Sequence, residues 1–588
     1  MKLDREESAY RVRVEAAEQA RNRKHKPHRS NPDEERYGFA NYLMNFTKGL
    51  QHDPGTGVVA DPNHFKAFRT CIDEGYVEPF TSRLFVPTEE GRRKWEAPTA
   101  GVVFDLQGPD AQAVTMAPAP ELCSDELTFE IAEVYELALL RDVPLSTFDE
   151  GGGSKQASLD ASIKRLSALQ YAKDRFPNRP RKTGCSGVLD RQTAFRGSSP
   201  GVEVGPYVSQ FLWIGNDDCH DMGDGYITYG AQTINQRVPI AKTGEDHMQD
   251  WMSWLRVQNG YDVNGCSKGQ TLDCKGRFIC TPRDLATYVH FDALYQAYLN
   301  ATLILLGMET PFDPGFAKLS GQRNMYKPGD SSGTDQNAGG FALWGGPHIL
   351  TLVTEVATRA LKAVRYQKFN NHLRLRPEAL AGRIAQADKL EKKYPGLCGC
   401  LKTMKKDLTY TLKSIDKHNG PDAKLPGGNH LLPMAFAEGS PMHPTYGAGH
   451  ATVAGACTTI VKAFFDTGTV FGKNAEKGHC KFGKYGFYPS ISSAGYFEPD
   501  AAGKKLSYKS RKGCALTLEG ELNKLAANIS IGRNMAGVHY YSDYYDSLRM
   551  GEEIAIGMLE EQALCYPTDD FVMTVPTFDG DQVRIGAR

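Results

Sequence analysis

Apolar residues recur at helical spacing over Leu127–Arg141, Leu285–Leu306, Ile349–Gln367, Ala451–Phe465, Leu516–Ile531 and Ser542–Glu561, and each stretch predicts a helix with a buried face. Pro144, Pro311, Pro347 and Pro377 fall just outside these stretches or in the turns that follow, where a residue without an N–H is tolerated. The oiliest stretch, Leu285–Gly307, is interrupted by His290, Asp292, Gln296 and Asn300, so it predicts a buried helix and no membrane span. From about Gln170 to Lys275 the chain is rich in Gly, Asn, Asp, Thr and single aromatics without a sustained period. That composition predicts long ordered loops and a few short strands laid over helices. The expected fold is mainly α, with a helical and loop-rich wrapping region over residues 1–280 and a helical region over 281–588, packed as one compact unit.

Charge changes the picture little. The 588 residues carry 69 Lys+Arg against 70 Asp+Glu, a formal net charge of −1, so no global field grips nucleic acid or an anionic membrane. The basic run Arg21–Arg29 beside an Ala-rich segment reads as a solvated helix or an arm packing on a neighbouring subunit. No apolar core of a signal peptide is evident at the N-terminus. Of the 13 cysteines, Cys266, Cys274 and Cys280 lie close together, as do Cys398 and Cys400, which predicts one or two local bridges; the spacings do not fit structural zinc. Gly151–Lys155 lacks the rest of a phosphate-loop pattern and reads as a plain loop.

Three segments concentrate chemistry. Arg365 and Lys368 are three residues apart on a helix that confines its other charges to Glu355, Arg359 and Lys362, which implies a buried surround. Pro377 disfavours helical geometry at Arg376 and can turn that side chain back toward Lys368. The run Gly439–His450, containing His443, Gly447, Ala448 and Gly449, opens directly into an apolar helix. It therefore presents unpaired backbone N–H groups and a positive dipole end to an anion, with His450 beside it. In the third segment Gly537 permits a tight loop between Arg533 and a helix beginning near His539. Asp543, four residues on, can fix the His539 tautomer and leave the other ring nitrogen free. Buried together, Lys368, Arg376 and Arg533 would be very costly without a counter-charge, and a multiply charged tetrahedral oxyanion would supply it.

In this order the segments resemble the vanadium-dependent haloperoxidases, whose pattern is K-x7-RP, P-S-G-H and R-x5-H-x3-D. Here it stands as Lys368…Arg376-Pro377, Ala448-Gly449-His450 and Arg533…His539…Asp543. The longer runs WGGPHILTLVTEVATRALKAVRYQKF, AFAEGSPMHPTYGAGHAT and GRNMAGVHYYSDYYDSLRMGEEIAIGMLEEQ are similar to the bromoperoxidases of coralline red algae. The resemblance implies a core of two four-helix bundles and assembly into a large homo-oligomer. It implies vanadate as cofactor, with structural calcium as a further expectation, and hydrogen peroxide, halide (bromide and iodide) and a small organic acceptor as partners. His539 would be the sole protein ligand to vanadium, with Lys368, Arg376, Arg533 and the N–H of Gly449 around the oxygens. His450 would be the acid–base residue, Lys368 would also withdraw charge, and Arg365 and His443 would stand further out, His443 near the halide. The alternative is an acid phosphatase using the same cage with His539 as nucleophile. One departure stands out: Ala448 occupies the family's serine position, and losing a donor there costs about 1 kcal/mol, which predicts weaker vanadate retention or slower turnover. Gln367, next to Lys368, is a candidate for biasing bromide against chloride.

Overall fold

A computed structural model describes residues 4–84, 91–149, 157–216, 221–263, 272–320, 340–474, 484–511, 513, 515–566 and 572–586. Gly151–Lys155 and Cys266 lie outside them. The longer helices are α1 (Arg5–Asn22), α2 (Pro62–Glu74), α3 (Asp125–Leu139), α4 (Ala157–Ser167), α5 (Pro282–Phe291), α6 (Gln296–Gly307), α7 (Gly346–Arg365), α8 (Pro377–Ala385), α9 (Thr409–Asn419), α10 (Gly449–Phe464), α11 (Leu518–Met535) and α12 (Tyr541–Ala563).

The apolar periods become helices at nearly the expected places, with one correction. The single helix expected over Leu285–Leu306 is two. A capping box of Thr281 and Asp284, with Pro282 at the first position, starts α5. Asp292 leaves helical geometry at φ −64°, ψ 148° and ends it, and α6 begins four residues later. The Gln170–Lys275 region contains two antiparallel pairs, β1 (Tyr226–Tyr229) with β2 (Gln232–Asn235) and β3 (Val238–Ala241) with β4 (Leu272–Arg277). A further antiparallel sheet that periodicity did not announce joins β5 (Val470–Asn474), β6 (Tyr485–Tyr488), β7 (Ile491–Pro499) and β8 (Leu506–Ser510) in the order β6-β5-β7-β8.

The centre of the molecule is α10, packed against α12, α7 and α11, and α5 covers α11. The α10–α12 crossing is close because each helix presents a glycine to the other's backbone. A methyl group on Gly455 would run into the Leu548 carbonyl, and one on Gly551 into the Thr452 carbonyl. One apolar core runs from Tyr37 to Ile585, and a smaller one joins Phe46, Phe65, Phe68 and Phe80 to Phe369 and Leu373.

Helix α3 buries four carboxylates, each met by an arginine: Glu126 with Arg179 (2.8 Å), Glu130 with Arg374 (3.2 Å), Glu133 with Arg181, and Glu136 with Arg165 (2.6 Å). In the basic run beyond α1, Arg23 meets Glu560 and Glu561 of α12, and Lys26 meets Glu553. The expected local disulfides do not form. Cys274, Cys280 and Cys398 are free, and Cys400 instead bridges to Cys123 across 277 residues, because folding brings the start of α3 to the Cys400–Asp407 helix. Among the described residues no helix is long and apolar enough to cross a membrane.

Candidate active site

Lys368 does not continue the α-helix of Arg365. It sits in a π-helical segment, Tyr366–His372, which ends at Leu373 in the left-handed region at φ 43°. The wider turn aims Lys368 inward, and Phe369 and Leu373 anchor the segment in the smaller core. The ammonium is fully buried and donates to the carbonyls of Pro444 (2.7 Å), Thr445 (3.0 Å) and Gly447. Arg376 is extended at φ −79°, ψ 158° as the residue before Pro377, and its guanidinium turns inward as expected. It donates to the carbonyls of His443 (2.9 Å) and Val538 (2.7 Å), to His443 Nδ1 (2.7 Å) and to His539 Nε2 (3.0 Å).

The loop between α11 and α12 carries His539, two residues before the helix and not inside it. Asp543, in the first turn of α12, accepts from His539 Nδ1 at 2.7 Å and from the Thr445 hydroxyl. Its carboxyl is held well below the usual range: burial would raise it, but the His539 hydrogen bond and the charge of Arg374 outweigh burial. The ionised carboxylate fixes the Nδ1–H tautomer and leaves the Nε2 lone pair facing Arg376. Arg374 is held between Asp543 (3.0 Å) and Glu130 (3.2 Å) and so ties this corner to α3.

Arg533 donates to the Val289 carbonyl at 2.9 Å, while its buried Nε has no hydrogen-bond partner. Among the described residues none of Lys368, Arg376 and Arg533 has an ion-pair partner; carbonyl oxygens and histidine nitrogens receive their bonds. The electrostatics record the strain of this arrangement. Burial, then Arg376 and Arg365, hold the Lys368 ammonium well below its ordinary range, and burial pushes Arg376 down to about 9. Burial, then Arg376, keeps His539 neutral. Gly449 opens α10 with no side chain capping it, and a methyl group there would meet nothing closer than Leu361 at 3.9 Å. Free N–H groups at a helix start, three uncompensated cations and an imidazole lone pair together make a receptor for a multiply charged oxyanion.

His450 stands at the same helix start, with its Nε2 3.1 Å from Asp292 Oδ1. Burial lowers its pKa against the opposing charge of Asp292. Further out, His443 and Arg365 flank Glu96: His443 Nε2 is 3.5 Å and Arg365 NH2 3.7 Å from Glu96 Oε2. Gln367 does not join them. Its amide donates to the Val114 carbonyl (3.1 Å) and meets His28 Nδ1 (3.2 Å), so its buried side chain is occupied by the N-terminal arm. Ala448 lies at the N-cap of α10, and its N–H donates to Ser547 Oγ at 2.8 Å.

Of the residues expected at the site, Lys368, Arg376, His443 and His539 are joined directly or through the loop at 443–447, and the charge of Arg533 is felt at both Arg376 and His450. No motif signals Asp292, Thr445, Arg374 or Glu96. The one available clue to Asp292 was a charge interrupting an apolar period.

No family model matches the chain. Vanadium-dependent bromoperoxidases of Corallina pilulifera and Corallina officinalis are each 40% identical to it over 634 aligned residues, covering 99% of this chain and 98% of theirs. One from Ascophyllum nodosum is 30% identical over 554 residues, covering 93% of this chain and 87% of its own. The fold is similar to that of a second, homohexameric vanadate-dependent bromoperoxidase of Ascophyllum nodosum, with a TM-score of 0.79 at 24% identity over 99% of this chain and 90% of that one. The architecture and the relatives together define an enzyme built around an oxyanion site. The chain belongs to the vanadium-dependent bromoperoxidase family.

The residues present fit vanadate. Arg533 Nε has no partner, the start of α10 is uncapped and roomy, and His539 offers a nitrogen lone pair of the kind a metal takes. For structural calcium there is no comparable signal: among the described residues no group of three or more His, Cys, Asp or Glu is arranged to hold a metal ion.

Proposed function

We propose that the chain is a vanadate-dependent haloperoxidase that uses hydrogen peroxide to oxidise bromide and iodide to a hypohalous species, which then halogenates small organic acceptors. The observation that carries this reading is a carboxylate-fixed imidazole whose free nitrogen faces buried Arg376, with the charge of Lys368 acting on the same ring and that of Arg533 on Arg376, and with no ion-pair partner for any of the three cations among the described residues. His539 Nε2 would hold the metal, and Lys368, Arg376, Arg533 and the N–H of Gly449 would hold its oxygens. Vanadate, when bound, supplies Lewis-acid activation of peroxide.

The remaining work falls to side chains. His450, kept neutral by burial, takes a proton from hydrogen peroxide, and Asp292 orients its ring. Lys368 is locked by three carbonyls and contributes a fixed positive charge toward the oxygens. Arg376 bridges His539 and His443, coupling the metal-holding imidazole to the outer pocket where His443 and Arg365 meet the halide. Residues 1–280 serve as the wrapping region around the helical region 281–588, with Glu96 and Glu130 reaching the surroundings of the site. The chain assembles into a homo-oligomer.

The test is bromination of a phenol-red type dye. Metal-stripped protein should be inactive with bromide and peroxide, recover on addition of vanadate, lose that recovery to competing phosphate, and fail to recover in His539→Ala. Absence of halogenation at every vanadate concentration would overturn the proposal, and hydrolysis of phosphate monoesters by the same cage would replace it with a phosphatase.

A further inference from the structure

The Glu96 carboxylate stands where an anion would. Its segment is fastened repeatedly to the neighbouring loops. Arg92 donates to the Gly49 carbonyl (3.1 Å), Arg93 to the carbonyls of Glu438 (3.0 Å) and Ser440 (3.1 Å), and Trp95 Nε1 to the Lys48 carbonyl (3.0 Å). The Glu96 N–H donates to the Met442 carbonyl at 3.1 Å, and the Met442 N–H returns a bond to Glu96 Oε1 at 3.3 Å. The second oxygen, Oε2, is thereby placed between His443 Nε2 and Arg365 NH2.

These contacts, at 3.5 and 3.7 Å, are longer than hydrogen bonds. The Glu96 side chain is 44% exposed against 12% for Arg365 and 7% for His443, so the carboxylate lies on the solvent side of a buried guanidinium and imidazole. A loose, half-exposed pair of this kind contributes little to stability, and holding the fold together does not explain it. Its charge nevertheless reaches inward, favouring the protonated forms of Arg365, Lys368, Arg376 and Arg533. A fixed negative charge on the solvent side of Arg365 opposes each anion that approaches that guanidinium.

We propose that Glu96 is a specificity-determining residue that screens the Arg365–His443 pocket, so that a halide enters only by displacing the carboxylate or working against its charge. This rests on the haloperoxidase reading for its catalytic consequence. A multiply charged oxyanion has three further cations to hold it; a monovalent halide has fewer compensations and feels the screen most. Glu96 thereby sets a weak halide affinity and a high halide KM.

Glu96→Gln tests the charge at constant shape, because the amide oxygen can still accept from the Met442 N–H. Bromide KM should fall about tenfold with kcat nearly unchanged, the effect of removing one unfavourable charge contact at a partly exposed site. Bromide binding to the vanadate-loaded, peroxide-free enzyme, followed by the broadening of the bromide NMR line, should tighten by the same factor. Glu96→Asp, which keeps the charge, should remain close to the parent in both measurements. Unchanged or weaker bromide binding in Glu96→Gln overturns the proposal, as does equal tightening in Glu96→Asp, which would reveal a loosened loop. If the parent enzyme never halogenates, the haloperoxidase reading fails, and the line-broadening comparison still decides the role of Glu96.

Discussion

Asp292 Oδ1 lies 3.1 Å from His450 Nε2 although 158 residues separate them in the chain. The contact exists because α5 stops at Asp292, which brings a carboxylate to the start of α10; its other oxygen is buried without a hydrogen-bond partner. Burial lowers the His450 pKa and Asp292 opposes that fall. Asp292→Asn should therefore lower it further and move the acid limb of the kcat/KM profile for peroxide to lower pH. The rate should drop roughly tenfold, a fraction of the ~10²–10⁴ that positioned proton transfer supplies. An acid limb that stays in place, or moves upward, counts against Asp292 as the orienting group.

What the sequence made legible was local. The helical periods, the turn forced on Arg376 by Pro377, the glycine-rich entry to α10 and the His539–Asp543 spacing each need only a few neighbouring residues to be read. The break at Asp292 was hidden because a charge inside an apolar stretch reads equally well as one polar position on a continuous helix, and the helix end is evident only once His450 stands opposite. The four buried carboxylates of α3 went unread, since a charge in sequence carries no sign of its partner. Glu130 meets Ser542 from 412 residues away. The same distance effect hid Cys123–Cys400 and the approach of Glu96 to His443. The partners of Gln367 were hidden in the same way: His28 and Val114 reach it from 339 and 253 residues away.

Gly551 is expected to be intolerant of a side chain. On an exposed helix Gly→Ala would gain up to about 1 kcal/mol from propensity. At this position the methyl group meets the Thr452 carbonyl, a backbone atom that cannot swing aside. Gly551→Ala should instead lose about 3 kcal/mol, the upper end of overpacking penalties, in denaturant unfolding. Vanadate affinity should fall with it, because α10 and α12 both begin at the site. A stabilised variant would show that the crossing is slack.

Acid sensitivity should carry the signature of buried neutral histidines. Burial, and then the charge of Arg383, lower His52 from 6.5 to about 3. Between those values the unfolded chain binds a proton that the folded one does not, so stability falls as pH falls, by about 1.4 kcal/mol per pH unit for this group. Asp33 and Asp149, raised to about 6 mainly by burial, act in the opposite direction as pH drops below that value, so the parent curve reports a sum. The difference between the parent and His52→Gln isolates one term: the parent's stability relative to the variant's should fall by about 1.4 kcal/mol per pH unit as pH drops from 6.5 to 4 in denaturant titrations. Parallel slopes would mean that His52 is protonated in the folded protein.

Ala448 offers a gain of function by a single hydroxyl. It occupies the N-cap of α10 at φ −86°, ψ 122°, a geometry in which serine accepts from the first-turn N–H groups, and no side chain now does so. Ser547 sits on the far side of this backbone, where its hydroxyl oxygen receives the Ala448 N–H and its proton faces Met116 Sδ. A serine hydroxyl both accepts and donates, so Ala448→Ser can cap the helix and still offer its proton to a bound oxyanion. The two effects separate experimentally. The cap should raise the stability of the metal-free protein by about 1 kcal/mol, measured without vanadate. The donor should tighten vanadate binding about fivefold, the equivalent of one neutral hydrogen bond of ~1 kcal/mol, measured by equilibrium dialysis. A variant that gains stability but no vanadate affinity would place the hydroxyl on the helix alone and remove Ala448 as the cause of weak retention.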